Sequence, residues 1–151
     1  MKLKSIKILE NQNIPYRLIK LSEKGVSFND VIKYAENDIN PDEICKTIVV
    51  KDKKGNKYAF FLKGSDKVDF FKAKEIIGQK ISIVSYDGLV RATGTEPGAI
   101  CPLLLDMPIY VDKRIFETEK INFGSGDHIY GLEINSKDLD KLIKFQICDI
   151  S

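Results

Sequence analysis

Apolar residues along the 151-residue chain recur at two spacings, and the switches between them mark out short helices and strands. In residues 2–11, Leu3, Ile6 and Leu9 form one stripe with lysines elsewhere, which predicts a short amphipathic helix. Asn13 and Pro15 stop it, and residues 16–21 then alternate as a strand does. Ser27-x-x-Asp30 has the spacing of a capping box, with Asp in place of the usual Glu or Gln. It opens a predicted helix to about Glu36 that buries Val31, Ile32 and Ala35. Pro41-Asp42-Glu43 reads as a turn. Residues 46–51 and 58–63 are β-rich runs on either side of Lys54-Gly55-Asn56, a hairpin signal. Helical spacing returns over 67–77 through Val68, Phe71 and Ile76, with Gly78 where a helix would end. Residues 81–84 read as a short buried strand.

The stretch from 85 to 107 breaks the pattern. Thr93-Gly-Thr-Glu-Pro-Gly-Ala-Ile-Cys-Pro102 holds two Gly and two Pro in ten positions, which neither a helix nor a strand tolerates. A strand at 109–111, a turn of helix near 113–117 and a second glycine cluster, Gly124-Ser125-Gly126, follow. Residues 130–134 read as a strand, and Ser136 as the cap of a helix to about Lys144 with Asp138 in its first turn. No repeat or low-complexity segment interrupts the chain. Helices and strands interspersed in this hairpin-like order point to an α+β fold with a mixed sheet rather than a doubly wound parallel one.

Length suits one domain, residues 1–151, large enough to bury about 68–70% of its unfolded surface without staples. With 43% hydrophobic residues, eight Phe and six Tyr, disorder is excluded. No apolar run approaches the roughly 18 residues of a membrane span, and the N-terminal lysines leave no signal-peptide core, so a cytoplasmic location and no membrane partner are expected. Cys45, Cys101 and Cys148 are odd in number and lack C-x-x-C spacing, which fits reduced thiols. With His128 the sole histidine, a Cys/His zinc site of about four ligands is not expected, and no metal is assigned. The formal net charge of +2 conceals a segregation. Residues 1–45 balance, residues 46–80 carry ten lysines against four acids, and residues 81–151 carry seven bases against eleven acids. The basic stretch would attract a polyanion, or is simply a solvated lysine-rich surface. Only three of the 24 bases are Arg, which argues against base readout by guanidinium forks.

Chemistry concentrates in Gly98-Ala99-Ile100-Cys101-Pro102. Glycine lets backbone N–H groups approach a ligand, proline stiffens the far end, and such a loop can hold a carbonyl or line an oxyanion hole. The spacing taken alone reads by default as a structural turn. The ordered set Cys45-Lys-Thr-Ile-Val-Val, Lys74-Glu-Ile-Ile-Gly78, Thr93-Gly94, Pro97-Gly98-x-x-x-Pro102, Ile109-Tyr-Val-Asp112, and Gly124-Ser-Gly126 before Leu132-Glu-Ile resembles the YbaK/ProX family of aminoacyl-tRNA deacylases. The resemblance covers nearly the whole chain as a stand-alone member.

The resemblance implies a mainly antiparallel, curved, barrel-like central sheet flanked by helices. It also implies a hydrolase that edits mischarged tRNA in trans, chiefly tRNA(Pro) carrying a small amino acid such as Cys, Ala or Ser. Lys46 matches the lysine near the tRNA 3′ end or the ester, and Gly98 to Pro102 match the loop whose backbone positions the aminoacyl group. Ala99, Ile100 and Cys101 would shape the pocket from within that loop. Thr93 and Gly94 match the lead into it, Asp112 the aspartate after the Tyr-Val strand, and Gly124, Ser125 and Gly126 the opposite wall. Tyr16 matches a tyrosine of the first strand. Thr47 after Lys46 is as in the cysteinyl-editing and synthetase-insertion branches, and His128 stands beside the glycine cluster. The implied partners are the acceptor end of aminoacyl-tRNA and prolyl-tRNA synthetase; no cofactor is implied. Because the ester is already activated, positioning and an oxyanion partner suffice for hydrolysis. Two rival readings stay open: a non-catalytic tRNA- or synthetase-binding module, in which the 98–102 loop would be collapsed onto Lys46, and a cysteine hydrolase using Cys101 with His128 as base.

Overall fold

The computed structural model describes residues 3–151, so the predicted start of the first helix at Lys2 lies outside the described residues. In chain order the main elements are α1 (Lys4–Asn11), β1 (Arg17–Lys20), α2 (Phe28–Tyr34), β2 (Cys45–Asp52), β3 (Lys57–Lys63), α3 (Phe70–Ile77) and β4 (Ile81–Ile83). There follow α4 (Tyr86–Thr93), β5 (Ile109–Asp112), β6 (Lys120–Gly124), β7 (Tyr130–Asn135), α5 (Leu139–Leu142) and β8 (Gln146–Cys148). The fold is α+β, as expected. Its strands form two sheets: an antiparallel β1-β7-β6, and a mixed β4-β2-β3-β5-β8 in which β5 runs parallel to both its neighbours. Among the described residues a single bridge, Ile44 to Asn122, joins them, and they do not close into a barrel.

Alternation along the strands builds the layers. Ala59, Phe61 and Val111 of the larger sheet meet Ile121, Phe123, Leu132 and Ile134 of the smaller one, and Ile6 and Leu9 of α1 and Leu139 of α5 close the ends. Phe61 meets Phe123 edge-on at 5.9 Å across that core. The opposite face of the larger sheet, Val50 and Phe60, lies under Ala73 of α3. The predicted hairpin forms, because Asp52 caps its turn: one carboxylate oxygen accepts from the Lys54 and Asn56 N–H groups, at 2.9 and 3.0 Å.

Four local expectations need correction. Phe71 is 86% exposed rather than in the buried stripe of α3; Asp69 caps that helix and turns Ala73 inward instead. Ile32 is exposed on α2, and Val31 and Ala35 are only half-buried. Ile83, predicted buried, is 60% exposed because β4 is an edge strand. Ser136 does not cap the last helix: Asn135 accepts from the Lys137 N–H, and the Ser136 hydroxyl donates to the Thr118 carbonyl at 2.9 Å. No helix among the described residues is long and apolar enough to cross a membrane.

Candidate functional site

β2 carries the site because its partner on one side is too short to cover it. β3 pairs with β2 from Cys45 to Lys51, whereas β4 reaches only Val50 to Asp52. The ladder sends the Ile44 carbonyl to Gly64 beyond β3 and the Val49 carbonyl to Val84 on the opposite side. By that alternation the N–H and C=O of Thr47 face the uncovered edge. A cavity of about 340 Å³ opens there, lined by Lys46, Thr47, Ile48, Gly98 and Ile100, with Val31 of α2 and Gly124 of β6. Exposed Val26, Ile83 and Tyr86 also line it, toward solvent. This is the size of a small-ligand pocket. Among the described residues that line it, Lys46 alone carries a charge.

Lys46 bends over the end of its strand. Its ammonium donates to the Gly64 carbonyl at 3.1 Å and to the Asp66 carbonyl, leaving one of three N–H donors. Burial pushes its pKa below the ordinary lysine value, Asp66 opposes that shift, and Lys67 adds to it. A cation stripped of part of its water, held by carbonyls at a cavity wall, is poised to meet an anionic or polar ligand.

Loop 94–101 forms the opposite wall, and glycine makes its route passable. Gly98 has φ +87°, and a Cβ there would lie 2.5 Å from the Val26 Cα and 2.7 Å from the Gly25 carbonyl. A Cβ on Gly124 would lie 2.6 Å from the Ile100 carbonyl. The loop therefore threads between two backbones. The Gly126 N–H donates to the Ala99 carbonyl at 2.8 Å, His128 Nε2 lies 3.2 Å from the Pro97 carbonyl, and Lys24 pairs with Glu96 at 2.6 Å. The Gly98 and Ile100 N–H groups make no hydrogen bond to described residues. The loop is not collapsed onto Lys46, since both line the same open cavity.

The structure thus brings Lys46, Thr47, Gly98, Ile100 and Gly124 together. The other candidates stand elsewhere. Ala99, within the loop, is buried and does not line the cavity, and Pro102 is buried at the start of a helical turn. Thr93 ends α4, where its hydroxyl donates to the Leu89 carbonyl at 2.8 Å, and Gly94 is the left-handed cap after it. Ser125 is buried and donates to the Tyr130 carbonyl at 2.6 Å, so with Gly126 it shapes the turn that supports the loop. His128 lines a smaller cavity beside the main one. Tyr16 packs against the core rather than the cavity. Asp112 is fully buried at the far end of β5, bound to Arg114 at 3.0 Å and to the Ser151 hydroxyl at 2.7 Å, and is not in the site. Cys101 is 2% exposed in the main core, lines neither cavity wall, and has its thiol pushed up to about 12 by burial. A thiol of that kind is no nucleophile at neutral pH, so the cysteine-hydrolase reading falls. Sequence reasoning missed Val26, Val31, Ile83 and Tyr86, which come from the segment before α2, from α2, from β4 and from α4, and share no local motif with the loop.

A model of the aminoacyl-tRNA editing domain matches residues 27–142, spanning the cavity-lining strand, the loop and the glycine cluster. The chain belongs to this family. A proline–tRNA ligase of Shouchella clausii (strain KSM-K16) is 37% identical over 73 residues, which is 47% of this chain and 13% of the ligase. The chain therefore spans only a small part of that relative. Among solved structures, a hypothetical protein superposes with a TM-score of 0.84 at 20% identity, covering 97% of this chain and 99% of its own. A candidate trans-editing enzyme for prolyl tRNA synthetase does so with a TM-score of 0.80 at 18% identity, covering 100% and 99%. At these identities the superpositions establish the fold.

Proposed function

We propose that this editing-domain protein is a trans-acting deacylase that hydrolyses a small amino acid from mischarged tRNA, with tRNA(Pro) as the substrate. One observation carries the reading: in a chain of the editing family, Lys46, Thr47 on the uncovered edge of β2, Gly98 and Ile100 line one open cavity of small-ligand size. The likeness to a proline–tRNA ligase supports the choice of tRNA.

In this reading the aminoacyl ester enters with its ribose toward Lys46, whose remaining N–H donor and charge anchor the nucleic-acid end. The N–H groups of Gly98, Ile100 and Thr47 are the donors available to a developing oxyanion. Water adds to the carbonyl carbon, the carbon–oxygen bond to the ribose breaks, and the ribose oxygen takes a proton, giving free amino acid and tRNA. No side-chain nucleophile is needed, because the ester is activated.

The test is release of amino acid from tRNA(Pro) charged with Ala, Ser or Cys by the purified protein. Release from at least one is expected, with Lys46→Ala lowering kcat/KM at least about 100-fold and Cys101→Ala leaving turnover intact. Release from none of them would overturn the reading, and full activity in Lys46→Ala would remove Lys46 from it.

A further inference from the structure

A second, smaller cavity of about 50 Å³ adjoins the main one and shares Val31, Ile44, Cys45, Gly98 and Gly124 with it. Its floor is one face of the three-stranded sheet. The registers Ile19 to Gly131, Asn122 to Glu133 and Gly124 to Gly131 place Ile19, Gly131, Gly124 and Asn122 on that face, while Ile121 and Phe123 point into the core. Two glycines leave the floor without side chains. Asn122, 3% exposed, lines this annex, and neither its amide nitrogen nor its amide oxygen has a hydrogen-bond partner among the described residues. The buried hydroxyl of Thr47, a residue that lines the main cavity, is likewise unpaired among the described residues.

Buried amides almost always find partners, and leaving both atoms of one unpaired is costly. Such a site discriminates strongly between a ligand that supplies the missing bonds and one that does not. A hydroxyl is both donor and acceptor, so a single one satisfies both atoms of Asn122: its oxygen accepts from the amide NH₂ and its hydrogen donates to the amide oxygen. A methyl group does neither, and a thiol does both weakly. One water needs about 10–15 Å³ on the same measure, so the annex admits a group of about four non-hydrogen atoms and excludes aromatic side chains.

Resting on the deacylase reading, we infer that the annex receives the side chain of the aminoacyl group and that Asn122 selects for one bearing a hydroxyl, a seryl or threonyl ester over its alanyl or valyl counterpart. The second pair isolates the hydroxyl, since threonyl and valyl groups share size and shape. Wild-type protein should deacylate seryl-tRNA at least tenfold faster than alanyl-tRNA, and threonyl- faster than valyl-tRNA, in kcat/KM. Asn122→Leu, close to Asn in shape, should bring both ratios to within about twofold of unity. Equal wild-type rates within each pair would overturn the inference while leaving the deacylase reading standing. If Asn122→Leu does not fold, the wild-type ratios decide alone. If no ester is hydrolysed, thermal shifts with the non-hydrolysable 3′-seryl- and 3′-alanyl-amino-3′-deoxyadenosine amides separate the two ideas. Greater stabilisation by the seryl amide sustains the annex without catalysis, and equal shifts overturn it.

Discussion

Gly94 and Gly98 share a left-handed backbone, at φ +70° and +87°, yet differ in what surrounds them. Nothing lies within 4 Å of a Cβ built on Gly94, whereas one on Gly98 would enter the Gly25–Val26 backbone. Gly94→Ala should therefore cost about 1–2 kcal/mol, the ordinary left-handed penalty. Gly98→Ala should cost at least about 1 kcal/mol more and lower deacylation, because the loop must leave its path. Urea unfolding of both variants measures the difference; equal costs would mean that the loop is not pinned. Asn122 gives the opposite expectation. Replacing an unsatisfied buried amide by an apolar side chain of like shape removes its desolvation penalty, so Asn122→Leu should gain about 1–3 kcal/mol in the unliganded protein. A loss of stability would show the amide to be bonded in solution. At this scale the loop was legible, since Gly and Pro at fixed spacing signal an irregular backbone. Asn122 was not: between Ile121 and Phe123 a polar residue reads as the solvent face of a strand, and only the bridge to Ile44 and the overlying α2 show that this face is covered.

Elements were legible where local chemistry decides them. Ser27 accepts from the Asp30 N–H, Asp30 returns a bond to the Val26 N–H, and Gly78 ends α3 at φ +82°, all from short-range signals. The missed elements carry no such signal. α4 contains Gly88, which argues against a helix; there Ser85 caps the Gly88 N–H at 3.1 Å, and a Cβ would lie 2.8 Å from Val84. β6 hides between a helical turn and a glycine cluster, and β8 is a three-residue edge strand beside β5. β8 leads into an ion cluster, where Asp149 accepts from Arg114 at 2.8 Å and from Lys72 at 3.1 Å. Those bonds, Arg114 first, hold the Asp149 carboxyl at about 2, below its ordinary 3.8. A depressed folded-state pKa gives stability that is present above the unfolded value and lost as pH falls through the folded one, here between about 4 and 2. Asp149→Asn should flatten that acid limb of the urea midpoint, modestly, since the cluster is partly exposed. An unchanged limb would show that the cluster does not tie β8 to α3.

Across the whole molecule the near-neutral charge resolves into a local arrangement. Lys51, Lys53 and Lys80 line a surface groove at the turn end of the β2–β3 hairpin and β4, together with Asp52, Gly55, Ile81 and Ser82. β4 continues from that groove to Ile83 at the cavity, a step of two residues or about 7 Å. A nucleic acid with its esterified end at Lys46 would thus pass these three lysines first, and the acidic C-terminal half would repel the rest of its backbone. Each phosphate neutralised contributes about 0.7 to 0.9 to the slope of log Kd against log salt, so three contacts predict a slope of about 2–3. Changing all three lysines to Ala should weaken tRNA binding and reduce the slope nearly to zero, while leaving kcat on saturating substrate unchanged, because none of the three lines the cavity at Lys46. A wild-type slope above about 6 would instead require phosphate contacts along much of the molecule, and would place the tRNA on a surface other than the one that β4 connects to the cavity.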